Sequence, residues 1–269
     1  MKDKLVLLAI FLLSHCVINA QDDQLDELSF EEQNYEQFVE ESTPYFVIGG
    51  GPVMNMMFLN FDDINSSLIN KFFKGNTDVN LDGNFYQFGA QGMISVGLIP
   101  NIRIGVLGLG GSKSPENPMD TTINNIQYSR YFDYSLGYTG INIDYAWVPF
   151  TGFKFAIVPG VTLGWGTINI ENYQTQKEIE FTDIKPETDN LNYYMKLESS
   201  YWHVAPMLSF EYSPTFLSLF RASVGYTMSF PGTWNINSNE DSNVKNVPTG
   251  INSNGLTFQF GIILGIFNY

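Results

Sequence analysis

The chain has 269 residues, a formal net charge of −15, and 15% each of charged and aromatic residues. Such an acidic excess argues against nucleic acid as a partner, because phosphate backbones are bound by lysine and arginine. Mean hydropathy is near neutral at −0.07, and no internal apolar run is long enough for a membrane-spanning helix. Strands that alternate apolar and polar residues escape such an average, so composition still allows a chain that crosses a membrane in strands.

Residues 1–20 are organised like a secretory signal peptide. A basic start at Met1–Lys4 precedes an apolar run from Leu5 to Leu13, and Ala20 is a small residue at the cleavage position. A lipoprotein signal at Cys16 is disfavoured, because the residue before it is large. The single cysteine would leave with the signal, so the mature chain would have no disulfide and no thiolate metal site. We expect no cofactor and no metal.

Residues 21–43 form an acidic segment that carries nine acidic residues and no basic one. This composition predicts a disordered, self-repelling segment. The alternative is a short helix that docks a basic partner through apolar residues such as Leu25 and Leu28. Pro44 marks the entry to the folded domain, which we assign to residues 44–269.

The folded domain divides into eight segments of strand character, and the connections between them alternate long and short. The segments are Tyr45–Phe58, Phe85–Ile99, Ile102–Gly110, Tyr128–Val148, Phe153–Asn169, Tyr194–Tyr212, Phe216–Phe230 and Leu256–Phe267. The three short connections all contain proline and turn-forming residues. The four long ones are Leu59–Asn84, Gly111–Gln127, Ile170–Tyr193 and Pro231–Gly255. This pattern predicts an all-β fold, an eight-stranded antiparallel up-and-down transmembrane β-barrel with long loops at one end.

Within the segments, large apolar side chains alternate with small or polar ones. In the fifth segment, Leu163 and Trp165 share one face, whereas Thr162 and Gly164 share the other. We interpret the large apolar face as lipid-facing, and the small polar face as lining an interior just wide enough for side chains. A soluble eight-stranded barrel of lipocalin type is the alternative, and it would show the reverse pattern.

The first long connection contains a predicted helix at residues 62–74. Acidic residues begin it, lysines end it and Gly75 stops it. Its apolar residues, among them Ile64, Leu68 and Phe72, fall near one stripe. The helix could cap the barrel mouth, lie in the membrane interface or contact a partner.

The chain ends on an apolar strand with Phe267 and Tyr269 at its tip. This end resembles the carboxy-terminal signature of small bacterial outer-membrane β-barrels of the OmpA, OmpX and OmpW kind. The resemblance implies a monomer in the bacterial outer membrane, surrounded by its lipid. In such barrels short turns face the periplasm and long loops face outside, and this rule places both termini in the periplasm. It also implies that the barrel-assembly machinery reads Phe267 and Tyr269 as a membrane-insertion signal. The acidic segment, residues 21–43, would then be periplasmic, where it could meet a periplasmic partner.

Five charged residues fall on the inward face by alternation. They are Arg103, Asp144, Lys154, Glu211 and Arg221. Charges in a narrow barrel must pair, because an unpaired charge is costly to desolvate. We therefore predict a lumen charge network of salt bridges that fills the barrel. A gated ion path is the alternative.

The favoured interpretation is a non-enzymatic outer-membrane barrel with a side-chain-filled lumen, whose surface loops contact an unknown partner or ligand. One alternative is a conduit or binding site for small hydrophobic molecules, gated by the helix at 62–74. Another is a lipid-modifying outer-membrane enzyme that uses His203, the only histidine after residue 20. Such an enzyme needs a serine or carboxylate beside the imidazole, and Ser199, Ser200, Glu198 and Asp133 are the candidates. No spacing marks a catalytic triad, so we assign no catalytic residue.

Overall fold

A computed structural model describes residues 46–73, 79–116, 120–149, 154–177 and 193–268. The chain divides into Met1–Ser42 and Thr43–Tyr269, and every described residue belongs to the second unit. The predicted signal peptide, the predicted acidic segment and Tyr269 lie outside the described residues.

The described residues form ten antiparallel strands. These are β1 (Phe46–Leu59), β2 (Phe85–Ser95), β3 (Ile102–Lys113), β4 (Thr121–Ile123), β5 (Ile126–Tyr145), β6 (Phe155–Gln176), β7 (Tyr193–Thr215), β8 (Ser218–Ile236), β9 (Asn239–Val244) and β10 (Gly255–Asn268). Eight of them close a ring in the order β1–β2–β3–β5–β6–β7–β8–β10, because β10 pairs with both β8 and β1. The short strands β4 and β9 pair only with β5 and β8. The predicted eight-stranded up-and-down barrel is confirmed.

The two ends of the barrel differ. At one end, here the turn end, consecutive strands are joined by short connections such as the two-residue turn Phe216–Leu217 between β7 and β8. Asn101, in the turn before β3, has φ of 64°, a conformation that asparagine tolerates better than most residues. The opposite end, the loop end, carries the long connections.

The strands at the loop end are longer than the sequence predicted. β6 continues to Gln176, β7 begins at Tyr193 and β8 continues to Ile236, where we had expected loops. We call residues 126–137, 167–176, 193–200 and 231–236 of β5 to β8 the wall. The wall extends these strands at the loop end. Its residues 126–127, 170–176, 193 and 231–236 lie where the sequence predicted long loops, so that expectation was wrong for those residues.

The predicted loop helix is present and lies in three consecutive pieces. They are Asp62–Ile64, a π-helical turn at Asn65–Ile69, and Asn70–Phe72. The side-chain oxygen of Asn60 accepts a hydrogen bond from the Asp62 N–H at 2.7 Å, which satisfies one donor at the helix start. In the described part of the chain, no helix is long and apolar enough to cross a membrane.

The described residues contain three clusters of buried apolar residues, of which the smallest consists of Ala146, Ala156 and Val158. The lower core lies at the turn end and consists of Val47, Met93, Leu219, Ile263 and Phe267. The upper core lies at the loop end, where the loop helix packs against the inner face of the wall. The upper core includes Phe61, Ile64, Ile69, Phe73, Phe85, Leu109, Phe132, Tyr134, Leu136, Tyr138, Ile168, Ile170, Tyr201, Trp234 and Ile251.

Candidate functional site

The polarity of the strands inverts part-way along the barrel. Near the turn end of β5, Ile141 and Ile143 are exposed outside while Asp144 is buried inside. Nearer the loop end of the same strand, Phe132 and Tyr134 are completely buried inside. An apolar exterior around a polar interior is stable only where the solvent outside is hydrocarbon. The molecule is built as a transmembrane β-barrel.

Aromatic side chains mark the edges of the apolar exterior. Trp165, Trp202 and Phe230 lie side by side on adjacent strands, all facing outward. We call these three residues the outer girdle. Tyr212 faces outward near the turn end of β7, ten residues from Trp202. At about 3.3 Å per residue and a tilt of about 40°, the band between them is about 25 Å tall, which matches membrane barrels.

Four of the five charged residues predicted to line the lumen meet in one layer, which we call the charge layer. Arg103 stands directly opposite Asp144 in the β3–β5 register, and Glu211 stands opposite Arg221 in the β7–β8 register. The Arg103 Nε donates to Asp144 Oδ1 at 2.6 Å. Each of these two pairs therefore lies on neighbouring strands.

The charge layer also spans the lumen. The guanidinium of Arg103 donates to both carboxylate oxygens of Glu211, at 2.7 and 2.9 Å. On the other diagonal, Arg221 Nη2 donates to Asp144 Oδ2 at 2.8 Å. The Arg103, Asp144 and Glu211 side chains are at most 1% exposed and Arg221 is 8% exposed. Two positive and two negative charges compensate each other, which makes their burial tolerable.

Lys154, the fifth predicted member, is not in the charge layer. It precedes β6, its side chain is exposed and its φ is 51°. The alternation of β6 starts at Phe155, so the parity that predicted an inward Lys154 does not extend to it. Placing Lys154 in the lumen was wrong for this reason.

Neutral polar residues that were not among the predicted site residues complete the layer. Ser209 Oγ accepts from Arg221 Nε at 3.1 Å, and Asn142 Nδ2 donates to Asp144 Oδ2 at 2.8 Å. Both share the inward parity of the charges, and that signal could have found them. A small cavity of about 10 Å³ lies next to Arg221 and is also lined by Gln91, Asn142 and Gln259. It has room for about one water.

The loop helix closes the opposite mouth. Asn65 forms two hydrogen bonds with the backbone of Leu81, donating to its C=O at 2.9 Å and accepting from its N–H at 2.8 Å. Asp63 accepts from the Gly250 N–H at 2.9 Å. Ile64 and Ile69 are buried in the upper core. Of the three predicted placements, the helix takes the first and caps the mouth.

His203 lies inside the barrel against two tyrosines. Its ring centroid is 4.3 Å from that of Tyr138 and 5.9 Å from that of Tyr201. A Cβ on Gly164 would come within 2.2 Å of His203 Cε1, so only glycine fits opposite the ring. Among the described residues, neither ring nitrogen of His203 has a hydrogen-bond partner.

None of the four residues nominated to act with His203 reaches it. Ser199 Oγ donates to the Ser200 C=O at 3.2 Å. Glu198 pairs with the Lys196 ammonium at 2.9 Å. Asp133 accepts from the Ser114 hydroxyl at 2.9 Å. These contacts leave His203 without a nucleophile or carboxylate in hydrogen-bond contact in the described chain.

The aromatic residues at the carboxy terminus are the predicted insertion signal. Phe267 faces inward and is buried in the lower core, and its N–H donates to the Phe216 C=O at 2.9 Å. Tyr269 lies outside the described residues. In the folded barrel, Phe267 therefore packs inside the lumen and does not contact lipid.

Solved structures of outer-membrane barrels are among those that align with this chain. Ail, the attachment invasion locus protein of Yersinia pestis, solved with the heparin analogue sucrose octasulfate, is 8% identical, covers 84% of this chain and 99% of its own, and has a TM-score of 0.36. A major outer membrane protein of Thermus thermophilus is 8% identical over 82% and 100% of the chains, with a TM-score of 0.43.

A third similar structure is CarO of Acinetobacter baumannii, which is 10% identical over 81% of this chain and 96% of its own, with a TM-score of 0.34. No protein-family model matches this chain, and no curated protein does. At these identities the likeness concerns the fold alone.

Proposed function

We propose that this protein is a closed, non-enzymatic barrel of the bacterial outer membrane that presents its wall to a partner outside the cell. The charge layer is the observation that carries this proposal. Arg103 and Glu211 join β3 to β7, and Asp144 and Arg221 join β5 to β8, so ionic bonds cross the lumen on both diagonals. Opening a path there would strand buried charges, which is strongly unfavourable.

The wall supports the second half of the proposal. Beyond the outer girdle, apolar side chains of its inner face, among them Phe132, Ile168 and Ile170, pack with the loop helix in the upper core, so this part of the wall is covered without lipid. Its outer face carries polar and aromatic side chains, including Tyr131 and Tyr173, whose rings stack at 4.8 Å, and Tyr194, which is 54% exposed. Tyrosine contributes large contact area at low conformational cost, which suits a recognition surface.

The conduit has less support. The loop helix that would act as its gate is tied to Leu81 and Gly250 by three hydrogen bonds, and its buried side chains occupy the mouth. The enzyme has less support still, because His203 makes no hydrogen bond with a described serine or carboxylate.

Conductance in planar bilayers tests the closed lumen. We expect no porin-sized current from the refolded protein. Disrupting the upper core with Ile64→Asp and Ile69→Asp should leave the barrel closed to ions, because the charge layer remains. Replacing Arg103, Asp144, Glu211 and Arg221 with alanine in the same variant should then produce current. Porin-sized currents from the unmodified protein would contradict the closed lumen.

Accessible tags test the orientation, in which both termini and the turn end face the periplasm. An epitope inserted within residues 178–192, between β6 and β7, should bind antibody on intact cells. The same epitope within residues 150–153 should bind only after the outer membrane is opened. The reverse pattern would invert the barrel.

A further inference from the structure

A cleft opens beside the outer girdle, between β8 and the connection from β9 to β10. We call it the rim cleft. It has a volume of about 390 Å³, within the range of small-molecule sites. Its lining includes Pro231, Trp234, Val244, Val247, Thr249 and Ile251. Most of these side chains are apolar, so water is a poor occupant.

The rim cleft exists because β8 changes partners. Pairing of β8 with β10 ends at Thr227 and Gly255, and pairing with β9 begins only at Trp234 and Val244. Between these points β8 has no strand beside it on that edge. Pro231 lies in the interval and has no N–H to leave unpaired. The edge of β8 is therefore open on the loop-end side of the closed ring, and Pro231 leaves no unpaired N–H donor there.

The rim cleft is continuous with the apolar exterior. Pro231, which lines it, follows Phe230 of the outer girdle, and Phe230 is 60% exposed. On the other side of the break, Tyr226 and Leu256 stand opposite each other and also face outward. The solvent around these exposed side chains, whether water or hydrocarbon, is therefore also the solvent at the mouth of the cleft.

We propose that the rim cleft holds one acyl chain of a lipid from the outer leaflet. The proposal rests on the membrane placement given under Proposed function. Hydrocarbon reaches the outer girdle in that placement, and a chain that bends past the girdle into the cleft replaces water on Pro231, Val244 and Val247, which are exposed or partly exposed, with methylene groups. The protein thereby binds one lipid acyl chain in the rim cleft, in addition to the lipid that surrounds its apolar exterior.

Tryptophan quenching by brominated lipid tests this directly. The chain has four tryptophans, and Trp234 is the one in the cleft. Phenylalanine at Trp147, Trp165 and Trp202 leaves Trp234 alone. In vesicles of phosphatidylcholine brominated on its acyl chains, Trp234 emission should fall by a fraction comparable to that of a matched protein retaining only Trp202. That result is expected although Trp234 is 6% exposed and Trp202 is 66% exposed.

Two loop variants test the route. Thr249→Phe fills the cleft and should protect Trp234 from quenching. Asn243→Phe is the matched control, because Asn243 is exposed on β9 and does not line the cleft, and it should leave the quenching unchanged. Equal quenching in both variants would overturn the proposal that an acyl chain binds in the rim cleft.

The remaining outcomes separate the two proposals. Quenching of Trp202 without quenching of Trp234 overturns the proposal that the rim cleft binds an acyl chain, but it agrees with the membrane placement of the barrel. No quenching of either tryptophan overturns the membrane placement itself. Trp234 emission that depends on the protein-to-lipid ratio, and not on the fraction of brominated lipid, indicates that a second copy of the protein occupies the cleft. That result also overturns the proposal that the cleft binds an acyl chain.

Discussion

The two halves of this barrel interior are filled in opposite ways. The half at the turn end contains the small lower core and is crossed by the charge layer, whose bonds are directional and whose partners are fixed by strand register. The half at the loop end is closed by the upper core, which resembles the core of a soluble domain. The comparison teaches that one ring of strands can enclose two kinds of interior, provided that its exterior changes polarity at the same level.

The two fillings should respond differently to damage. A buried ionic network fails when one partner is lost, because the remaining charge has no water to solvate it. An apolar core fails in proportion to the volume removed. Each prediction below tests one side of this contrast.

The largest expected effect follows removal of one carboxylate from the charge layer. Glu211→Leu leaves Arg103 and Arg221 with one acidic partner between them, which should cost about 3–5 kcal/mol of unfolding free energy. The measurement is urea unfolding of the refolded barrel in detergent, followed by tryptophan fluorescence and by heat-dependent mobility on gels.

Charge balance provides the control. The double variant Arg103→Leu with Glu211→Leu removes a complete pair and keeps Asp144 with Arg221, so it should recover much of the stability lost by Glu211→Leu. Lys154→Met, outside the layer and exposed, should change stability by less than about 0.5 kcal/mol. A double variant as unstable as Glu211→Leu would show that packing, not charge, holds this layer.

The upper core should respond by volume. Ile69 is completely buried, so Ile69→Ala should cost about 2–5 kcal/mol. Leu68 is only partly buried on the same helix, and Leu68→Ala should cost clearly less. Both are measured by urea unfolding. Equal costs would mean that the helix does not present Ile69 to the core in solution.

The clamp on the loop helix should have a smaller and local effect. Asn65→Ala leaves the N–H and C=O of Leu81 without their partner, a loss of about 1–3 kcal/mol. We expect faster amide hydrogen exchange in residues 62–73, with unchanged protection in β6 and β7. Ser66→Ala on the same helix is the control. Faster exchange throughout the barrel would show that helix and strands open together.

The smallest effect is expected for an exposed ion pair. The Lys177 ammonium donates to Asp120 at 2.6 Å, and this hydrogen bond lowers the pKa of the Asp120 carboxyl. A lowered pKa adds stability above the unfolded pKa, and that stability is lost as pH falls through the folded value. Because both groups are solvated, Asp120→Asn should leave the urea midpoint unchanged at pH 7. A measurable shift would remove the contrast with Glu211.

Much of the barrel was predictable because its constraints are local. Proline-containing turns and period-two alternation predicted eight strands, and parity alone placed Arg103, Asp144, Glu211 and Arg221 on one face. Parity cannot predict which charges meet across the lumen, because that depends on the stagger of the strands. It also fails where a strand begins, as Lys154 illustrates.

The wall was not predictable by the same logic. A rule that assigns large apolar residues to lipid predicts an outward Phe132 or Ile170, and both are buried inside. The rule inverts at the outer girdle, and no single residue in the sequence announces that level. Likewise, an amphipathic helix at 62–74 predicts that one face is covered, but not whether lipid, a partner or its own barrel covers it.

The position of β10 in the ring also has a consequence for how the barrel closes. It pairs with β1 from Phe46 opposite Asn268 to Leu59 opposite Gly255, and with β8 on its other side. Until the last strand is available, β1 and β8 both expose unpaired edges, and an exposed edge can pair with other chains. Closure also joins residues near opposite ends of the folded domain, and such non-local pairing is slow. The waiting time before closure is therefore when this protein is most exposed to aggregation.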